Sequence, residues 1–160
     1  MRVGILAVGR MKRGPAAELA EHYLDRFAKA GRGLGLTLDA TVELPEGRSQ
    51  NPSERKRDEA ARLLDRTVSG GRIVALDECG DDLTSDAFAG LIDACRQGGV
   101  PTLQFLIGGP DGHGEKVARR SSHTVRFGRM TWPHQLVRAM LAEQLYRAST
   151  ILSAHPYHRP

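Results

Sequence analysis

Apolar and polar positions follow one another in blocks along the chain, and these blocks predict strands separated by helices. Apolar runs predict strands at Val3–Val8, Leu36–Leu44, Arg72–Asp77, Thr102–Ile107 and Val125–Phe127. Helical spacing predicts a first helix over Pro15–Lys29 and a last helix over Pro133–Leu152. Two helices between them begin at N-caps: one runs from Ser53 to about Val68, and the other from Thr84 to about Gln97. A further helix is predicted after the glycine-rich segment that follows Ile107. This alternation predicts a single α/β domain over residues 1–160, with a mostly parallel sheet and helices on both faces.

Composition is consistent with a folded domain of this kind. The chain has 160 residues, of which 40% are hydrophobic and 26% charged. No apolar run is long enough to span a membrane, and the run at Val3–Val8 is too short for a signal peptide. Cys79 and Cys95 form no zinc-binding pattern. We therefore expect a cytoplasmic protein without a membrane segment or a bound metal.

The glycine-rich segment LIGGPDGHGEKV, Leu106–Val117, lies between a predicted buried strand and a predicted helix. Open α/β sheets bind ligands outside the carboxyl ends of their strands, against a helix N-terminus. The segment is not a phosphate loop, because Glu115 stands where that motif needs lysine, and the dinucleotide pattern fails at Val117. A neutral or cationic ligand, such as an adenosine-linked sulfonium, fits it better than a triphosphate. A tight turn whose glycines only supply positive φ is an equally good alternative.

The last predicted helix and the tail behind it carry two further signals. The apolar stripe of the helix is wider than one side of a small core usually needs, which hints at a homodimer interface, although burial within the domain explains each residue singly. The stripe comprises Val137, Met140, Leu141, Gln144, Ala148, Ile151 and Leu152, broadened by Leu136 and Leu145. Glu143 and Arg147 have the spacing of a surface ion pair. The tail HPYHR places hydrogen-bonding and stacking groups at His155, Tyr157, His158 and Arg159, where a solvated tail is the alternative.

With these segments in hand, the chain resembles the ribosomal RNA large subunit methyltransferase H family of the SPOUT superfamily. The resemblance covers the whole length and rests on LAVGRMK, IVALDECG, LIGGPDG, TWPHQLVRAMLAEQLYRA and HPYHR. It implies an α/β fold with a deep C-terminal trefoil knot, whereas periodicity alone predicts an ordinary doubly wound sheet. It also implies a homodimer with the last helix at the interface. The implied activity is S-adenosylmethionine-dependent methylation of N3 of a pseudouridine in the intersubunit stem-loop of 23S rRNA, on assembled ribosomes.

The resemblance also implies which residues form the site. Its motifs assign cofactor binding, mainly through backbone groups, to Leu76, Gly108, Gly109, Phe127, Gly128, Arg129, Met130, Thr131 and Trp132. The candidates for accepting the N3 proton or stabilising the anionic base are Tyr157, His158 and Arg159, with Arg138 and His134 at the mouth of the knot. The sequence does not choose a general base among them. The chain departs from the family pattern in the first part of FGRMTW and in ending at Pro160.

The basic balance of the chain fits an rRNA partner. The net charge is +4 and the pI about 9.4, and only four of the 23 basic residues are lysines. A genome-level preference for arginine explains that ratio equally well. Candidate docking residues are Arg10, Lys12, Arg13, the loop around Arg48, and Arg55, Lys56 and Arg57, although such runs are more often solvated surface.

Three other functions compete with this hypothesis. One is a SPOUT methyltransferase that acts on a tRNA base or a ribose 2′-hydroxyl. Another is a small nucleotide- or flavin-binding module without enzymatic activity. The last is a ribosome-associated factor that has lost catalysis. The HPYHR ending and the minimal length favour the rRNA methyltransferase.

Overall fold

A six-stranded, fully parallel sheet forms the centre of the protein. The computed structural model describes residues 1–157. The strands are β1 (Arg2–Val8), β2 (Thr37–Leu38), β3 (Val42–Leu44), β4 (Arg72–Asp82), β5 (Thr102–Ile107) and β6 (His123–Arg126). Their order is β2-β1-β5-β4-β6. Strands β2 and β3 pair with the same edge of β1, β2 near the start of β1 and β3 near its end. All five strand pairings are parallel, so the carboxyl ends of the strands meet at one edge of the sheet.

Helices cover both faces of this sheet. They are α1 (Pro15–Gly31), α2 (Pro52–Asp65), α3 (Ser85–Gln97), α4 (Glu115–Arg120) and α5 (His134–Leu152), with a 3₁₀ turn at Arg32–Leu34. Alternate residues of β1 enter different cores: Val3 and Ile5 pack with α1, α3 and α5, whereas Leu6 packs with α2 and α4. The predicted mostly parallel sheet with helices on both faces is therefore confirmed. The knot and the single-domain organisation stay predictions.

Helix α5 divides its apolar residues between two environments. Leu141 and Leu145 are fully buried in the core against the sheet. Small residues at Ala139 and Ala142 allow close packing against α1. Leu136, by contrast, is 41% exposed. The stripe predicted as one surface is thus partly core and partly open to solvent.

Several predicted boundaries were wrong for identifiable reasons. The strand predicted at Leu36–Leu44 is two short strands, because its register against β1 shifts by one residue between them. The N-cap of α2 is Asn51 rather than Ser53: the Asn51 Oδ1 atom accepts the Ser53 N–H at 2.9 Å, and Pro52 takes the first helical position. The predicted N-cap at Thr84 is confirmed, since its Oγ1 accepts the Ala87 N–H at 3.1 Å.

The ends of other elements also moved. Strand β4 continues five residues past its predicted end at Asp77. Its pairing with β6 shifts register between Leu76 and Asp81. Strand β6 begins and ends earlier than the predicted Val125–Phe127. Helix α2 ends at Asp65 rather than about Val68. None of the helices described over residues 1–157 is long and apolar enough to cross a membrane.

Candidate active site

A cavity of about 560 Å³ opens at the carboxyl ends of β4, β5 and β6. Its walls come from the end of β4, the glycine-rich loop behind β5, the segment behind β6 and the first turn of α5. Eight of the nine residues predicted for cofactor binding line it: Leu76, Gly108, Gly109, Phe127, Gly128, Met130, Thr131 and Trp132. The ninth, Arg129, is exposed and does not line the cavity, and its charge acts on Asp82 instead.

The glycine-rich loop folds tightly upon itself at the cavity wall. The Gly112 N–H donates to the Gly109 carbonyl at 3.0 Å, and Gly112 has a φ of 80°. A Cβ at Gly108 would lie 2.9 Å from the Gly112 carbonyl carbon, and one at Gly109 would lie 2.9 Å from Glu59 Oε2. The glycines are therefore compatible with both alternatives, a tight turn and a ligand-binding loop, because the turn that requires glycine also brings bare backbone to the cavity wall.

Helix α2 holds this loop from behind through one arginine. The Arg55 Nε atom donates to Asp111 Oδ2 at 2.5 Å, and its Nη1 atom donates to the Ser49 carbonyl at 2.7 Å. The hydrogen bond from Arg55 lowers the pKa of Asp111, which stays ionised. Arg55 thus joins the polar loop after β3 to the glycine-rich loop after β5.

Carboxylates and a histidine of the glycine-rich loop add polar groups to the lining. Asp77, Glu78, Asp111 and Glu115 all border the cavity, where Lys56 is a nearby cation. His113 is inserted at the ends of β4 and β5, with Nε2 3.1 Å from the Leu106 carbonyl oxygen. Burial lowers the pKa of His113, so its ring is neutral at pH 7. Within residues 1–157 no cluster of three or more His, Cys, Asp or Glu side chains could hold a metal ion.

The segment behind β6 closes the cavity on the side of α5. The Trp132 indole Nε1 donates to the Phe127 carbonyl at 2.8 Å, which fixes the two ends of the segment together. Gly128 has a φ of 91°, which favours glycine at this turn. Met130 is 72% exposed at the rim. The segment therefore borders the cavity as a short closed loop.

The structure separates the catalytic candidates at the start of α5. His134 lines the cavity. Arg138 is 4% exposed and turns inward, where Nη1 donates to Glu43 Oε1 at 2.8 Å and Nη2 donates to the carbonyls of Val8 and Gly9 at 2.8 and 2.6 Å. Arg138 therefore binds α5 to the end of β1 and does not line the cavity.

Tyr157 also lies away from the cavity lining. Its hydroxyl donates towards Glu143 Oε1 at 3.2 Å and lies 3.3 Å from the Tyr23 hydroxyl. The predicted pair of Glu143 and Arg147 is present at 2.5 Å, but it is partly buried and belongs to this cluster. The candidates His158 and Arg159 lie outside the described residues.

Comparisons with known proteins decide the family. A family model described as "Predicted SPOUT methyltransferase" matches residues 1–158. The chain belongs to the SPOUT methyltransferase family. It is 52% identical over 159 residues to the ribosomal RNA large subunit methyltransferase H of Rhizobium johnstonii, and 53% identical to that of Rhizobium etli strain CIAT 652. Each alignment covers 99% of both chains.

Solved structures add a more distant likeness. The SpoU methyltransferase AviRb from Streptomyces viridochromogenes, solved in complex with AdoMet, is 15% identical, with a TM-score of 0.42. The match covers 96% of this chain and 61% of that one.

In this SPOUT methyltransferase, sequence reasoning found the backbone lining of the cavity and missed several of its side chains. Asp77 is the last residue of the strand predicted at Arg72–Asp77, so the strand-end rule that selected the glycine-rich loop would also have found it. Lys56 and His113 gave no such signal. Lys56 comes from a helix far away in sequence, and no spacing pattern singles out His113 within the glycine-rich segment.

Proposed function

We propose that this SPOUT methyltransferase transfers a methyl group from S-adenosylmethionine to N3 of a pseudouridine in the intersubunit stem-loop of 23S rRNA, on assembled ribosomes. The observation that carries the proposal is the cavity at the carboxyl edge of the sheet, where eight of the nine expected cofactor residues meet. Relatives at 52–53% identity are named as methyltransferases of large-subunit ribosomal RNA, which supports the choice of substrate.

The residues of the cavity fit S-adenosylmethionine. A volume of about 560 Å³ is in the range of small-molecule sites. Leu76, Ile107 and Val137 give apolar wall, while a Cβ at Gly108 would lie 2.9 Å from the Gly112 carbonyl carbon, so the tight loop beside the cavity requires glycine there. The acidic lining, including Asp77, suits a ligand with a sulfonium and an ammonium charge. When bound, the cofactor supplies an activated methyl group that needs positioning more than further activation.

His134 is the described residue best placed to accept the N3 proton. It lies in the cavity wall, and burial, followed by the charge of Arg138, lowers the pKa of its ring. The ring is therefore neutral at pH 7 and carries a lone pair on one nitrogen. Arg138 holds the first turns of α5 to β1, which fixes the position from which His134 faces the cavity.

We propose that the protein acts as a homodimer through the exposed apolar side of α5. A groove of about 410 Å³ there is lined by Leu19, Tyr23, Phe127, Trp132, Leu136, Ala139, Met140, Glu143 and Gln144. Phe127 and Trp132 also line the cofactor cavity, so a second copy seated in the groove would border that cavity. Replacing Leu136 by glutamate should yield monomers in sedimentation velocity. A dimer of unchanged stability would contradict this interface.

Docking on rRNA would use the basic residues that are not engaged inside the protein. Arg55 is committed to Asp111, which removes it from the candidate set. Arg10, Lys12 and Arg13 follow β1 at the same edge of the sheet as the cavity, and all three are exposed. Arg48 is exposed in the loop after β3. A cytoplasmic location follows from the proposed ribosomal substrate.

The test is methyl transfer to a defined nucleotide. Purified protein and labelled S-adenosylmethionine are incubated with ribosomes that lack this modification, and mass spectrometry maps the label. We expect label on N3 of the intersubunit pseudouridine, and none with His134→Gln enzyme that still binds the cofactor. Label on another base or on a ribose 2′-oxygen would show that the proposed target nucleotide is wrong. Cofactor binding without transfer to any RNA would overturn the proposed activity.

A further inference from the structure

The chain turns back sharply after α5 and returns to the helix surface. Ala154 takes a left-handed conformation with a φ of 53°, and the His155 N–H donates to the Thr150 carbonyl at 2.8 Å. The Tyr157 N–H then donates to His155 Nδ1 at 3.2 Å. These bonds direct the Tyr157 side chain towards α5 and α1.

Tyr157 meets two guanidinium groups there. The Arg147 guanidinium carbon lies 5.0 Å from the centroid of its ring, and that of Arg26 lies 5.2 Å away. The ring also packs against Tyr146, with 4.7 Å between the centroids. Arginine close to an aromatic ring is attracted by the negative charge density of the ring face.

Arg26 connects this tail contact to the rigid part of the molecule. It is a residue of α1, and its Nη2 atom donates to the Tyr146 hydroxyl at 2.7 Å. Its guanidinium carbon lies 4.2 Å from the Tyr146 ring centroid, so it contacts both the ring on α5 and the ring of the tail. Arg26 is thus the point at which α1, α5 and the tail are held together.

The Tyr157 hydroxyl is occupied at the same place. Its partners, Glu143 and Tyr23, both line the apolar groove that shares Phe127 and Trp132 with the cofactor cavity. The phenol therefore binds two residues of the groove wall. Its contacts suit an anchor better than a group that exchanges protons with substrate.

We propose that Arg26 is a positioning residue for methyl transfer, which acts by anchoring the C-terminal tail through Tyr157 and Tyr146. The proposal rests on the proposed function, because His158 and Arg159, candidates for contact with the substrate base, follow Tyr157 directly in the sequence. Neither Arg26 nor Tyr157 lines the cofactor cavity. Loss of the anchor should therefore lower turnover and leave cofactor affinity unchanged.

Steady-state kinetics with saturating ribosomes give the first test. Arg26→Ala should lower kcat by about ten- to a hundredfold, the order expected for misplacing a reacting group by an ångström. The KM for S-adenosylmethionine should stay within about twofold of the wild-type value, because the cavity is intact. Lys29→Ala is the matched control, since Lys29 is an exposed cation on the same helix that pairs only with Asp25 among the described residues. It should leave both constants unchanged.

A double-mutant cycle shows whether Arg26 acts through the tail. Tyr157→Ala removes the anchored ring, which lies beyond α5 and packs on the core from outside it. If Arg26 works through Tyr157, the double variant is no slower than Tyr157→Ala alone. Losses that multiply, or full kcat in Arg26→Ala, would overturn the proposal.

Amide hydrogen exchange measures the anchor without any activity. The His155 and Tyr157 amides should exchange faster in Arg26→Ala than in wild type, and not faster in Lys29→Ala. Unchanged exchange in folded Arg26→Ala protein would refute the anchor. If that variant does not fold, the exchange rate of the His155 amide is compared between Tyr157→Ala and wild type, and an unchanged rate would refute the anchor. An inactive wild-type enzyme would refute the proposed function, and exchange alone would then decide the anchor.

Discussion

Replacing Arg138 by alanine removes three hydrogen bonds from the buried junction between β1 and α5. The carbonyls of Val8 and Gly9 lose a charged donor, and Glu43 loses its cation. A buried acceptor left without a donor costs about 1–3 kcal/mol. The Glu43 side chain is 33% exposed, so water can solvate it and its share is smaller. We therefore expect the free energy of unfolding to fall by about 3–5 kcal/mol, as for other broken buried ion pairs.

A loss of that size is a large part of the total stability of a domain, which is typically about 5–15 kcal/mol. It should appear as a lower urea midpoint with an unchanged slope when unfolding is followed by far-ultraviolet circular dichroism. Arg119→Ala is the control, because it removes an arginine from an exposed pair with Glu115 one helical turn away. That change should cost no more than about 0.5 kcal/mol. Arg138→Lys should recover part of the loss, because it keeps the charge but not the two-pronged donor.

The same pair of variants separates a structural role of Arg138 from a catalytic one. If Arg138→Ala and Arg119→Ala have the same urea midpoint and only the former loses methyl transfer, then Arg138 acts on substrate. That result would refute the inference from its burial. It would also require α5 to rearrange on binding, because the guanidinium faces β1 and Glu43 in the present structure.

Other predictions follow from the same geometry. If His134 is the general base, kcat/KM should fall as the pH is lowered, because the ring must be unprotonated to act. The midpoint of this fall should lie below the ordinary histidine pKa of about 6.5, because burial lowers the pKa of His134. The same fall at low pH in the His134→Gln enzyme would exclude His134 as the base. Burial and contacts with Tyr23 and Glu143 raise the pKa of Tyr157, so Glu143→Gln should lower it towards about 10 in an ultraviolet difference titration. A Cβ at Gly109 would lie 2.9 Å from a buried carboxylate oxygen of Glu59. Gly109→Ala should therefore destabilise the fold by about 1–3 kcal/mol and weaken S-adenosylmethionine binding, measured by calorimetry, at least about tenfold. Gly90→Ala is the control and should do neither, because a Cβ there would meet open space.

The strands were predictable where burial on both faces makes the sequence continuously apolar. Strands β1 and β5 lie in the middle of the sheet order, and their predicted bounds were close to those observed. The region from Leu36 to Leu44 lies at an edge of the sheet, where alternation continues through a change of register. Hydrophobic pattern does not report such a change, because the register depends on hydrogen bonds to β1 and not on which side chains are apolar.

The site was predictable as far as it depends on backbone. Strand ends and glycines fix where the chain can approach a ligand, and both are visible in the letters of the sequence. The direction of a long polar side chain is not visible in this way. Arg138 stands among apolar neighbours on α5, and its inward orientation is set by the carbonyls of Val8 and Gly9, which accept from it at the end of a strand about 130 residues earlier.

The abundance of arginine has a different meaning once these contacts are known. In the sequence it suggested a phosphate-binding surface, yet Arg26, Arg55 and Arg138 each connect segments that are distant along the chain. A planar guanidinium with several donors in fixed directions can bind two acceptors, or stack on a ring and bind an acceptor, in a more defined geometry than the compact ammonium group of lysine. These internal bonds lie around the elements that border the cavity, where loops from separate strands must keep a common geometry. Fewer arginines are therefore open to solvent than the composition suggests, and Arg10, Lys12 and Arg13 are among the exposed basic residues, at the carboxyl edge of the sheet.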